Sequence, residues 1–109
     1  MLGNLLGSVN KERVLVYLAA RQHGYAREIA RFFKAPLFPV QNALDGLEAA
    51  GALISRLVGT TLEYEFNPRY PAKDQLVALV NRALDLYPAN IRDQLVMTRT
   101  RPRRRGKPL

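Results

Sequence analysis

Gly59-Thr60 separates two short β-prone runs, residues 52–58 and 61–66, in a chain whose other apolar residues recur at helical spacing. A Gly-X pair of this kind suits a two-residue hairpin turn. In the second run Leu62, Tyr64 and Phe66 alternate with Thr61, Glu63 and Glu65, which predicts one buried and one wet face. At 109 residues the chain has room for one core, so the hairpin must pack on the same helices that flank it. The fold class that follows is α+β, mainly α with one small β-hairpin.

Before the hairpin three helices are expected. Ser8 or Asn10 caps the first, which runs from 11 to about 22 with Val14, Leu15, Leu18 and Ala19 on one stripe. Glu12 suits its N-terminal dipole, and Gly24 is expected to end it. The second spans 26–33 and buries Ile29, Phe32 and Phe33. Pro36 forbids a simple continuation, and Pro39 seeds a third helix carrying Val40, Ala43, Leu44 and Leu47. Gly51 stops it. Beyond the hairpin, helical spacing returns from about 72 to 87, Pro88 breaks it, and a last apolar segment covers 91–97.

Charge is distributed unevenly. Lys and Arg number 17 against nine acids, a net charge of +8. Residues 1–97 hold eleven bases and nine acids, while Arg99, Arg101, Arg103, Arg104, Arg105 and Lys107 crowd the last twelve positions. The sequence therefore reads as a folded body, 1–97, followed by a disordered basic tail, 98–109, of the kind that seeks nucleic acid.

Other classes fall away on residue types. There is no Cys and one His, His23, expected in a solvated turn. Thiolate metal sites, thiol nucleophiles and clustered-His centres are thus excluded, and no cofactor is expected. No glycine-rich phosphate loop and no nucleophile with a base partner can be found, so no enzyme is expected. The first residues carry neither the charged segment nor the long apolar run of a secretion signal, and no run approaches the ~20 residues of a membrane span. The expectation is a cytoplasmic protein without a membrane or metal partner.

The stretches Tyr25-Ala-Arg-Glu-Ile-Ala-Arg-Phe-Phe33, Val40-Gln-Asn-Ala-Leu-Asp-Gly-Leu-Glu-Ala-Ala-Gly51, Leu53-Ile54 and Glu63-Tyr-Glu-Phe-Asn67 resemble winged helix-turn-helix transcriptional regulators of the ArsR/MarR-like type. The resemblance covers roughly residues 8–85. It implies a three-helix core, the hairpin as a wing, a C-terminal dimerisation helix, and a homodimer on double-stranded DNA. Metal sensing, which some of those regulators perform, lacks its Cys or His ligands here.

With Val40, Ala43, Leu44 and Leu47 inward, Phe38, Gln41, Asn42 and Asp45 face outward on a recognition helix of about 38–50. Amide side chains can pair with adenine, carboxylates can accept from cytosine, and Phe38 can meet a thymine methyl. Between Lys34 and Arg56 the chain has no cation, so phosphate grip must come from elsewhere. Arg27, Arg31 and Lys34 either line the DNA backbone or form a solvated face paired with Glu28. The wing offers Arg56, Thr60 and Thr61. In the tail, Arg105-Gly106-Lys107-Pro108 resembles an AT-hook, with Lys in place of its second Arg; the alternative is an arm without base preference.

The helix after the hairpin is apolar over more than one face. Leu76, Leu79, Val80, Ala83 and Tyr87, with Leu2, Leu5 and Leu6, are expected at a dimer interface, unless they cover the first helix of their own chain. The functional alternatives to operator recognition are a protein-interaction adaptor built on the same fold and an RNA-binding or antitoxin-like protein.

Overall fold

The computed structural model describes residues 1–96. Helices and strands follow in the order α1 (Gly3–Leu6), α2 (Val9–Arg21), β1 (Gly24–Tyr25), α3 (Ala26–Phe33), α4 (Leu37–Ala49), β2 (Leu53–Val58), β3 (Thr61–Phe66) and α5 (Lys73–Asp85). A further helix, α6, covers residues 89–96.

Ser8 starts α2: its hydroxyl oxygen accepts from the Lys11 amide at 3.2 Å, satisfying one of the unpaired first-turn donors. The helix ends at Gln22, not at Gly24. Gln22 takes a positive φ of 77°, and its N–H closes on the Leu18 carbonyl at 2.8 Å. Gly24 has another task, since a Cβ there would lie 2.9 Å from Tyr17 Cε1. Only a glycine lets β1 pass this close to the ring.

Glu28 turns back to accept from the Tyr25 amide at 3.3 Å at the start of α3. Lys34 then takes a left-handed conformation (φ 54°), and extended Pro36 caps α4. Pro39 is thereby the third residue of α4, inside the first turn, where its missing N–H has no partner to lose. Gly51, at φ 89°, closes the other end.

β2 and β3 pair antiparallel, with Val58 opposite Thr61 and Leu57 opposite Leu62 on either side of the Gly59-Thr60 turn. β1 adds to the far edge of β3 through Gly24↔Tyr64 and Tyr25↔Glu63, giving the strand order β1-β3-β2. The alternation in β3 is realised only near its base. Tyr64 is buried and Phe66 half-buried, but Leu62 is 44% exposed, because the hairpin tip extends past the helices that cover Tyr64.

The core is organised around α2. Five consecutive residues, Val14 to Leu18, are buried, so more than one stripe of this helix is covered. Helices α1, α4 and α5 pack against it. Ile29, Val40, Leu44, Leu53, Tyr64 and Leu95 complete the same cluster. Leu2, Val80 and Ala83 also belong to it, at 2%, 0% and 0% exposure. Their expected place at a dimer interface is therefore corrected: Val80 and Ala83 of α5, like Leu2, are buried in the core of their own chain.

Candidate nucleic-acid interface

Helices α3 and α4 are joined by a short turn, Lys34-Ala35-Pro36, and present adjoining outer surfaces. Val40, Ala43, Leu44 and Leu47 of α4 are buried, as their spacing requires. Phe38 is 73% exposed, Asn42 and Asp45 are exposed, and Gln41 is half-buried. The structure thus brings these four residues together on one surface of α4.

Gln41 is held in place. Its amide nitrogen donates to Asp45 Oδ1 at 3.0 Å and to the Tyr64 hydroxyl at 3.0 Å. Tyr64 reaches it from β3, so the hairpin and α4 are linked through a side-chain network. Burial is the main cause that holds the Tyr64 phenol above its ordinary pKa, and the charges of Asp45 and Glu48 act in the same direction. Glu48 accepts from the Ser55 hydroxyl at 2.8 Å, a second link between α4 and β2. The sequence placed Tyr64 on the buried face of β3 but gave it no role in the site. A buried tyrosine needs a hydrogen-bond partner, and that requirement was the available signal.

The cations lie elsewhere. Arg27, Arg31 and Lys34 are exposed along α3. In the hairpin Arg56 donates to Glu63 at 3.2 Å. Thr60 and Thr61 are exposed at the tip, beside exposed Leu57, Val58 and Leu62. Arg27, Leu37, Gln41, Thr60 and Leu62 line a groove of about 300 Å³ between α3, α4 and the tip. His23, expected in solvent, sits 3.3 Å from Glu65 of β3.

Arg21, which no sequence motif marks, fastens α6. Its guanidinium donates to the carbonyls of Leu95 (3.2 Å) and Gln94 (3.4 Å) and to the Tyr17 hydroxyl (2.8 Å). It also lies 5.4 Å from the Phe32 ring centroid. The end of the described chain is thereby tied beside α3. The tail residues Arg99, Arg101, Arg103, Arg104, Arg105 and Lys107 lie outside the described residues, as does the AT-hook-like segment.

Of the remaining residues expected at a dimer interface, Leu6, Leu76 and Tyr87 are partly buried against the chain's own core. Leu5 and Leu79 are exposed, at 72% and 37%. Among the described residues no group of three or more His, Cys, Asp or Glu could hold a metal ion, and no helix is long and apolar enough to cross a membrane.

No family model and no curated protein sequence matches the chain. Among solved structures, the crystal structure of the C-terminally His-tagged adhesin competence repressor (AdcR) from Streptococcus pyogenes is similar, with a TM-score of 0.52 at 15% sequence identity. The match covers 97% of this chain and 95% of that one. The fold is a winged helix. In its terms α3 and α4 are the helix-turn-helix pair and β2–β3 is the wing. The surface bearing Phe38, Gln41, Asn42 and Asp45 is that of the second, outward helix of the pair.

Proposed function

We propose that this winged helix is a sequence-specific, DNA-binding transcriptional regulator that acts as a homodimer. Helix α4 enters the major groove and sets Phe38, Gln41, Asn42 and Asp45 against base edges. Arg27, Arg31 and Lys34 of α3, with Arg56, Thr60 and Thr61 of the wing, contact the phosphate backbone. The body, 1–97, supplies register and base contacts. The arm, 98–109, adds its six cations along the backbone or in the minor groove. Such a protein works in the cytoplasm, bound to the nucleoid.

The observation that carries this reading is the chemistry of one helix face. Two amides, an aromatic ring and a carboxylate stand together on the outer face of the second helix of the helix-turn-helix pair. The likeness to a protein described as a repressor supports a regulatory role. Of the residues expected at a dimer interface, Leu5 and Leu79 are exposed and open to a second copy.

The wing favours a second reading, a protein-interaction adaptor. Leu57, Val58 and Leu62 are exposed at its tip, and its one arginine is paired with Glu63. An apolar tip suits a protein partner better than a phosphate backbone.

Selection of bound sequences from random duplex DNA, run on residues 1–109 and on 1–97, separates the two. A regulator recovers the same two-fold symmetric sequence with both forms. Loss of the arm weakens all sequences alike and lowers the slope of log K against log salt by ~5. A signal that needs the arm and lacks symmetry, or a 1–97 form with no DNA affinity at low salt, favours the adaptor.

A further inference from the structure

A primary amide carries two N–H donors and one carbonyl acceptor. In Gln41 both donors are committed, one to Asp45 Oδ1 at 3.0 Å and one to the Tyr64 hydroxyl at 3.0 Å. The orientation of the amide is fixed by chemistry, because the Asp45 carboxylate only accepts and so must face the nitrogen. Tyr64 cannot swing away: it is 1% exposed and lies in the centre of the sheet, between Gly24 of β1 and Ser55 of β2. What Gln41 has left to offer the groove between α4 and the wing is its carbonyl oxygen.

An unconstrained glutamine recognises adenine with both ends of its amide, accepting from N6 and donating to N7. Gln41 has no donor free for N7. Its neighbours reinforce the bias: Asp45 is also acceptor-only, and no Lys or Arg occurs between Lys34 and Arg56 to reach the acceptors of guanine. Opposite guanine O6 or thymine O4, the Gln41 oxygen would meet a second acceptor.

We infer that Tyr64 and Asp45 turn Gln41 into an acceptor-only reader, which selects an exocyclic amine, adenine N6 or cytosine N4, and ignores adenine N7. Tyr64 is then a positioning residue that sets specificity from the wing without touching DNA. The inference rests on the reading of α4 as the base-contacting helix.

The test uses the full chain and the duplex it selects. Comparing the sequences selected by the unaltered protein and by Gln41→Ala marks the base pair whose preference Gln41 sets. At that pair, replacing adenine by purine, or cytosine by 2-pyrimidinone, deletes the amine alone. The unaltered protein should lose about 3- to 10-fold in affinity, the loss of one hydrogen bond, while Gln41→Ala should lose nothing further. In a duplex with adenine at the pair, 7-deazaadenine should bind the unaltered protein undiminished. Tyr64→Phe and Asp45→Ala each free one N–H, so both should become sensitive to the N7 deletion. Asp45 is exposed, so its variant keeps the test available if Tyr64→Phe unfolds.

Weakening by 7-deazaadenine in the unaltered protein overturns the inference, as does indifference to loss of the amine. A selected sequence in which no pair depends on Gln41 overturns it while leaving base reading by α4 intact. Failure to select any sequence removes base reading itself, and the inference with it.

Discussion

Two polar networks built on tyrosines bind distant parts of this chain, and they differ in what they leave over. In the first, Glu12 of α2 is 5% exposed and fully engaged. Its Oε1 accepts from the Met1 ammonium (3.1 Å), the Leu2 amide and the Gly3 amide (2.9 Å), and its Oε2 from the Tyr87 hydroxyl (2.6 Å). In the second, Gln41, Tyr64 and Asp45 satisfy one another at the surface and keep an amide oxygen and a carboxylate turned outward. Burial with every bond closed makes a fastening for the N-terminal segment and the α5–α6 junction. Partial exposure with acceptors to spare makes a surface that can read.

The ionisation of the first network follows from its closure. Burial pushes the Glu12 carboxyl up, but the bonds from Tyr87, the N-terminal ammonium and the Leu2 amide outweigh it and hold the group below the usual carboxylate range. Burial first, then the bond to Glu12 and its charge, drive the Tyr87 phenol well above its ordinary value. Near neutral pH the pair is a fixed acceptor and a fixed donor.

The largest effect on stability is expected from Glu12→Ala, which strands the Tyr87 hydroxyl and two backbone amides. Urea unfolding should show a loss of about 3–5 kcal/mol, with the DNA preference of the surviving folded fraction unaltered. A changed preference would mean that the two networks are not separate. The same carboxylate sets an acid limit. A group whose folded pKa is lowered stabilises above its unfolded value, about 4.3, and loses that contribution as pH falls through the folded value. The urea midpoint should therefore drop more steeply below that pH in the unaltered protein than in Glu12→Gln.

Tyr87→Phe removes a single donor and should cost about 1–3 kcal/mol in the same unfolding assay, again with selected sequences unaltered. Tyr64→Phe should cost less, about 0.5–1.5 kcal/mol, because solvent can reach the freed Gln41 amide; here the selected sequence should broaden. Gln41→Ala leaves the Tyr64 hydroxyl without its donor and should cost a similar amount, about 0.5–1.5 kcal/mol, and it should relax one base pair of the selected site. Stability and selectivity are thus expected to rank these residues in opposite orders, and a common order would collapse the comparison.

Local chemistry made much of the fold legible. Residues 26–33 and the Gly59-Thr60 turn could be placed because apolar spacing and turn chemistry act within a few positions. Contacts between distant positions left no such trace. Glu12 read as a partner of its own helix dipole, since nothing local points to Tyr87, 75 residues away. The bond from Gln41 to Tyr64 spans 23 residues and was equally silent. β1 is two residues long, too short for a period, and Gln22 adopts a conformation for which glycine is the usual sign. Spacing also cannot tell whose surface an apolar stripe will meet. Val80 and Ala83 carry the pattern of an interface and are spent inside the chain. At the site, Phe38, Asn42 and Asp45 were readable as outward positions of a periodic helix, whereas the hold on Gln41 needed coordinates.

The most direct test of the central claim, that the outer face of α4 reads DNA while cations elsewhere hold it, is an NMR titration of the isotope-labelled full chain. The selected duplex and a scrambled one would be added in turn. With the selected duplex, amide shifts should move at Phe38, Gln41, Asn42 and Asp45 as well as along α3; with the scrambled duplex, movement should persist at the cations and fade on α4. Shifts confined to the arm and α3 with both duplexes, and an α4 face that stays still, would contradict it.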